Sequence, residues 1–91
     1  MISLETACEW MNAVYKRCGF PGIGSICDAG EEWVFLQAPE KKGGEIPLGY
    51  TPTFINKTTG ESRCLVFDVQ DLTLLKESKP IPVPERFQPI Y

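Results

Sequence analysis

The sequence predicts an α+β fold: one N-terminal helix packed on a three- to four-stranded antiparallel sheet, with a short C-terminal helix and an extended proline-rich tail. Three observations predict it. Apolar residues recur at helical spacing over one long stretch, residues 3–18. Two β-prone runs, 51–56 and 61–67, flank Lys57-Thr58-Thr59-Gly60, a tight turn. The run Glu32-Trp33-Val34-Phe35-Leu36-Gln37-Ala38 is apolar on both parities, the pattern of a strand covered on both faces. With 91 residues, the chain suits a single domain, residues 79–91 forming its tail. A chain of this size buries only ~60–65% of the surface its unfolded form exposes, so a modest core is available.

Ser3 is the expected N-cap of the first helix, with Glu5 in the first turn, where the helix dipole favours an acid. Leu4, Ala7, Cys8, Met11, Val14, Tyr15 and Cys18 follow i, i+3, i+4, i+7 spacing and form its apolar stripe. Lys16 and Arg17 complement the C-terminal end, and Gly19 and Pro21 stop it. Trp10 lies at the stripe's border, where it either closes the core's edge or anchors a partner.

Residues 20–24 read as a loop opening into a short strand at 25–28. Asp28-Ala29-Gly30-Glu31 is a turn, and residues 32–38 are the central strand. Trp33 and Phe35 fall on one side of that strand, Val34 and Leu36 on the other. Its expected neighbours are residues 25–28 and 51–56. Residues 39–49 are polar and rich in Gly and Pro, a loop long enough to carry function. Its Gly43-Gly44 beside Lys41 and Lys42 lacks the spacing and the following helix of a phosphate-binding loop. In the hairpin, Gly60 takes positive φ and closes a loop of three or four residues. Residues 69–78 form a short helix with Leu72 and Leu75 inward. In the tail, Pro80, Pro82 and Pro84 alternate with Ile81 and Val83, which suits an extended edge. Ile81, Val83 and Phe87 are expected to pack on the domain. One helix covers one face of the sheet only; the other must be closed by the tail, a second copy of the chain or a partner.

Chemistry is sparse. The chain has no histidine, the commonest general base and metal ligand. Its four cysteines, Cys8, Cys18, Cys27 and Cys64, are spaced unlike the paired ligands of a zinc site. Cys8 and Cys18 stand about 15 Å apart along one helix, too far to bridge. All four read as thiols of a reducing compartment, and no metal, cofactor or catalytic residue is expected. The formal net charge of −3 disfavours a nucleic-acid partner. Residues 1–17 lack the features of a secretory leader, and no run is apolar enough to span a membrane. A cytoplasmic protein with no membrane or nucleic-acid partner is expected. The carboxylates of Asp28, Glu31 and Glu32, with Glu40 and Glu45, are either a solvated face or a surface for a basic protein. With Trp10, they are the candidate partner-binding residues.

Glu32-Trp33-Val34-Phe35, a variable loop, then Gly49-Tyr50-Thr51-Pro52-Thr53-Phe54-Ile55-Asn56-Lys57-Thr58-Thr59-Gly60-Glu61 resembles the YrhB-type family of small bacterial proteins, also called immunity protein 35. The shared order of elements covers residues 3–67. The loop between the strands is shorter here, and the tail after Ser78 lies outside the pattern. The resemblance implies a non-enzymatic protein that neutralises a cognate toxin by occluding it, with no catalytic residues to carry over. A small regulatory or ligand-binding module of a phage or mobile element, binding between the helix and loop 39–49, is the alternative.

Overall fold

The computed structural model describes residues 1–45, 51–65 and 68–90. Helix α1, Leu4–Arg17, begins as expected: Ser3 is extended, and its side chain accepts the Thr6 N–H at 3.1 Å. Its C-terminal end is a Schellman closure, in which Phe20 N–H bonds Tyr15 O and Gly19 N–H bonds Lys16 O. Ala7, Cys8, Met11 and Tyr15 are buried, whereas Val14 and Cys18 at the end of the stripe are exposed.

Five strands follow: β1 (Ile23–Asp28), β2 (Glu32–Gln37), β3 (Thr53–Asn56), β4 (Ser62–Cys64) and β5 (Lys79–Ile81). Helix α2, Val69–Glu77, precedes β5, and a single 3-10 turn, Glu85–Phe87, follows it. The strands form one sheet in the order β4-β3-β2-β1-β5, antiparallel at every junction. β2 is central with β1 and β3 beside it, as its two-sided apolar pattern requires.

The start of β1 and the number of strands differ from the sequence reading. β1 starts at Ile23 rather than at residue 25, because Ile23 pairs with Gln37 across a bulge at Gly24. A Cβ at Gly24 would lie 2.7 Å from the Gln37 carbonyl oxygen, so the bulge needs glycine and breaks the alternation that marks a strand. The sheet also has five strands rather than three or four. The fifth comes from the tail, where Ile81, Pro80 and Lys79 pair with Ile26, Cys27 and Asp28. Pro80 is tolerated there because β5 is an edge.

The β3–β4 turn holds four residues, Lys57 to Gly60. Asn56 Oδ1 accepts the N–H groups of Thr58 and Thr59, Gly60 N–H bonds Asn56 O, and Asn56 N–H bonds Glu61 O. Gly60 has φ +78°, the left-handed conformation that glycine takes without Cβ strain. The flanking strands are shorter than residues 51–56 and 61–67. Val66 and Phe67 of the second run, and residues 46–49 of loop 39–49, lie outside the described residues.

The sheet is covered on both faces. On the α1 side, Trp33, Phe35, Ile23, Ile26 and Ile55 pack with Ala7, Cys8, Met11 and Tyr15. Phe87 is buried in the same cluster, and Ile81 and Val83 pack against it, so the tail adds to this side. On the other side, Val34, Phe54 and Leu65 are buried, with Leu74 and Leu75 of α2 against them. The second face is therefore closed in part by α2, an element too short to have been given that role from its length alone. Leu72 is a correction: it is 45% exposed, and the inward stripe is Asp71, Leu74 and Leu75, at i, i+3 and i+4. Asp71 turns inward because Arg63 of β4 bonds it at 2.8 Å, and this pair sets the rotation of the helix.

Replacing Phe35, wholly buried in β2, by alanine should cost about 3–5 kcal/mol of unfolding free energy in urea titration. Leu72→Ala should change it by no more than about 0.5 kcal/mol, as for other exposed sites.

Candidate interaction surface

Three features meet around the β3–β4 hairpin. The first is Trp10, whose ring lies on Gly60: a Cβ there would sit 3.2 Å from Trp10 Cζ3. Gly60 thus supplies both the turn's backbone conformation and room for the indole. The start of α1 is tied to the same turn, since Ile2 N–H bonds Lys57 O at 2.9 Å. Trp10 is nevertheless 46% exposed. Val14 and Cys18, four and eight residues on, are also exposed, giving an apolar stripe along α1. At the far end of this stripe a hollow of about 200 Å³ opens between Val14 and Tyr15 of α1, Cys18 just after it, and Thr53 and Cys64 of the hairpin.

The second feature is a set of ion pairs that the sequence reading missed. Asp28 is bonded by Lys57 Nζ at 2.8 Å and also accepts the Gly30 N–H at 2.9 Å. The Lys57 bond, then the Gly30 N–H, hold its carboxyl below the usual range. Lys57 also lies 5.5 Å from the Trp33 ring centre. Glu32 takes a two-pronged bond from Arg63, Nε to Oε2 at 3.0 Å and Nη2 to Oε1 at 2.8 Å. The third arm of Arg63 reaches the buried Asp71, and its guanidinium stacks 4.2 Å from the Phe54 ring centre. The bonds it donates to Glu32 and then Asp71 hold the guanidinium more firmly charged than usual. Asp28 and Glu32 are therefore engaged within the chain. Their partners lie 29 and 31 residues away, and only the strand register, Glu32↔Asn56 and Phe54↔Arg63, brings them together.

The third feature is the acidity that remains. Glu31 and Glu61 join Glu32 and Arg63 around a hollow of about 280 Å³, where three carboxylates face one guanidinium. Glu61 was not among the residues singled out from the sequence; its position opposite Asn56 in the hairpin places it here. Glu40 and Glu45 are exposed and line a separate small hollow with Lys41 and Gly44. Of the six candidates, Trp10, Glu31 and Glu32 are thus placed around the hairpin, Asp28 is held by its turn lysine, and Glu40 and Glu45 stand on their own loop.

Elsewhere, an open groove of about 1030 Å³ runs between the start of α1 and the tail, past Leu4, Pro84, Phe87 and Pro89. Arg86 closes one side of it, pairing with Glu5 and with Glu9, the latter at 3.1 Å. All four cysteines are free thiols. Among the described residues no three His, Cys, Asp or Glu side chains are grouped to hold a metal ion, and no helix is long and apolar enough to cross a membrane. Fold and surface together define an α+β domain with a half-exposed aromatic packed on one side of the hairpin turn and an acidic hollow on the other. No family model matches this chain, and no curated protein or solved structure matches it.

Two measurements check this geometry. Burial raises the Cys8 thiol to about 11, so alkylation of the folded protein at pH 8, read by mass spectrometry, should label Cys18 and Cys64 first and Cys8 only on unfolding. The Asp28 pair should stabilise the fold above the ordinary aspartate value of 3.8 and lose that effect as pH falls through the lowered native value. Asp28→Asn should therefore have a lower Tm than wild type at pH 6, and the two should converge towards pH 2.

Proposed function

We propose that this chain is a protein-binding module that acts by contact rather than catalysis, neutralising a bacterial toxin by occluding it. One observation supports the binding reading above the others: Trp10 is half exposed yet held in place by Gly60 and the hairpin turn. A tryptophan whose ring already packs on a turn has less side-chain freedom to lose when a partner covers it, and such aromatics dominate binding energy at interfaces. Support for a toxin as the partner comes from the resemblance of residues 32–61 to the toxin-immunity family and from the acidic hollow of the same hairpin, which favours a basic surface. On this reading the protein works in the cytoplasm, where its toxin would otherwise act.

The test is co-expression with the toxin gene encoded beside it. Wild type should restore growth and co-purify with the toxin. Trp10→Ala should weaken the complex by about 30-fold or more, as loss of a hot spot of about 2 kcal/mol does. Failure of wild type both to rescue and to form a complex would reject the toxin partner. A ligand-binding module is the second reading, favoured by the groove beside the tail. It predicts a saturable rise in Tm with one compound of a metabolite set, a response the contact reading does not require.

A further inference from the structure

The sheet has two outer strands, and they are unlike. β5 contains Pro80, whose missing N–H makes it a poor template for another strand. β4 has no proline and pairs with β3 alone among the described residues. The ladder shows which of its backbone groups are free. Asn56 N–H bonds Glu61 O and Leu65 N–H bonds Pro52 O, so residues 61, 63 and 65 turn their backbone groups towards β3. Ser62 and Cys64, between them, turn theirs outward. The free edge therefore offers two N–H and two C=O groups at the spacing of an antiparallel ladder.

The side chains around this edge differ on its two faces. Ser62 and Cys64 are paired with Ile55 and Thr53 and share the α1 side, where the exposed Trp10–Val14–Cys18 stripe stands above the edge. The hollow of about 200 Å³ beside Cys64 has the size of one large apolar side chain. Tyr15, which lines it together with Thr53, is 6% exposed. Arg63 lies on the opposite side, in the hollow where Glu31, Glu32 and Glu61 leave a formal excess of two negative charges over the one guanidinium.

We propose that the outer edge of β4 receives an extended segment of the partner protein as a sixth, antiparallel strand, with an apolar–basic–apolar sequence. The residues opposite Ser62 and Cys64 point to the α1 side, one towards Trp10 and Val14 and the other into the hollow by Cys64. The residue opposite Arg63 points to the acidic side; because Arg63 is already bonded to Glu32 and Asp71, the field there is set by the remaining carboxylates of Glu31 and Glu61, which favours Lys or Arg and disfavours Asp or Glu. Main-chain bonds supply affinity and the alternating side chains supply the choice of sequence. The inference rests on the protein-binding reading and adds to it the element that docks and the chemistry it accepts.

The blocked peptide acetyl-Thr-Leu-Lys-Phe-Thr-amide, titrated into the full-length protein and followed by NMR, tests it. Saturable shifts should centre on the amides of Ser62 and Cys64 and the Trp10 indole. Replacing the peptide lysine by glutamate should weaken binding at least tenfold at low salt, and less at high salt. Methylating the peptide's leucine and phenylalanine amide nitrogens should abolish binding without touching the protein. Ser62→Pro removes an outward donor and leaves the β3 ladder intact, so it should lose the peptide while its Tm stays within a few degrees. No saturable binding at millimolar peptide, shifts centred elsewhere, or an N-methylated peptide that binds as well would overturn the proposal. Toxin capture that is lost with Trp10→Ala but survives in folded Ser62→Pro would leave the protein-binding function standing and remove strand addition.

Discussion

A central strand that is apolar on both faces constrains everything else in this molecule. β2 places Trp33 and Phe35 on one side and Val34 on the other, all buried. A sheet built around such a strand is stable only if both faces are shielded from water, and a single helix of 14 residues shields one. The chain meets the constraint with a second helix of nine residues, α2, rotated into place by a charged pair rather than by hydrophobicity alone. Arg63 is the connecting piece. It holds Glu32 of β2, Asp71 of α2 and the face of Phe54 in β3, so one side chain links three elements on the second face. Hydrogen bonds to charged groups contribute about 1.5–3 kcal/mol each when sheltered, less where water reaches the guanidinium, as it does here.

With α1 on one face and α2 against the other, the hairpin rim is where the exposed features of the proposed contact surface gather. The hairpin brings together the half-exposed indole, the free edge of β4 and the acidic hollow. These arise from structural needs as much as from recognition. Gly60 is required by the turn and makes room for Trp10; Arg63 fixes α2 and partly neutralises the acids around it. A surface whose parts are held by the core's own constraints is preorganised, which lowers the cost of binding.

Local patterns made much of this legible from the sequence. The Ser3 cap, the α1 stripe, the turn at Gly60, the two faces of β2 and its two neighbours all follow from spacing within a few residues. The packing of Ile81, Val83 and Phe87 was also visible, because apolar residues among prolines have few other uses. Long-range partnerships were not. Nothing near Asp28 or Glu32 in the sequence announces Lys57 or Arg63, and without those pairs the acidic cluster looks freer than it is. The phase of α2 was misjudged at Leu72 for the same reason, since an aspartate was not counted as an inward residue. The bulge at Gly24 hid two residues of β1, whereas the alternating prolines of the tail pointed to an extended edge without showing that residues 79–81 pair with β1.

Packing of α2 on the second face is the claim on which the rest stands, because it takes that face away from a partner and leaves the hairpin rim for the proposed contact. NOE contacts in dilute solution test it most directly. Close contacts from the Leu74 and Leu75 methyls to the Val34 methyls and the Phe54 ring, unchanged on dilution, are the predicted result. Their absence, or their appearance only at concentrations where a second copy associates, would contradict it.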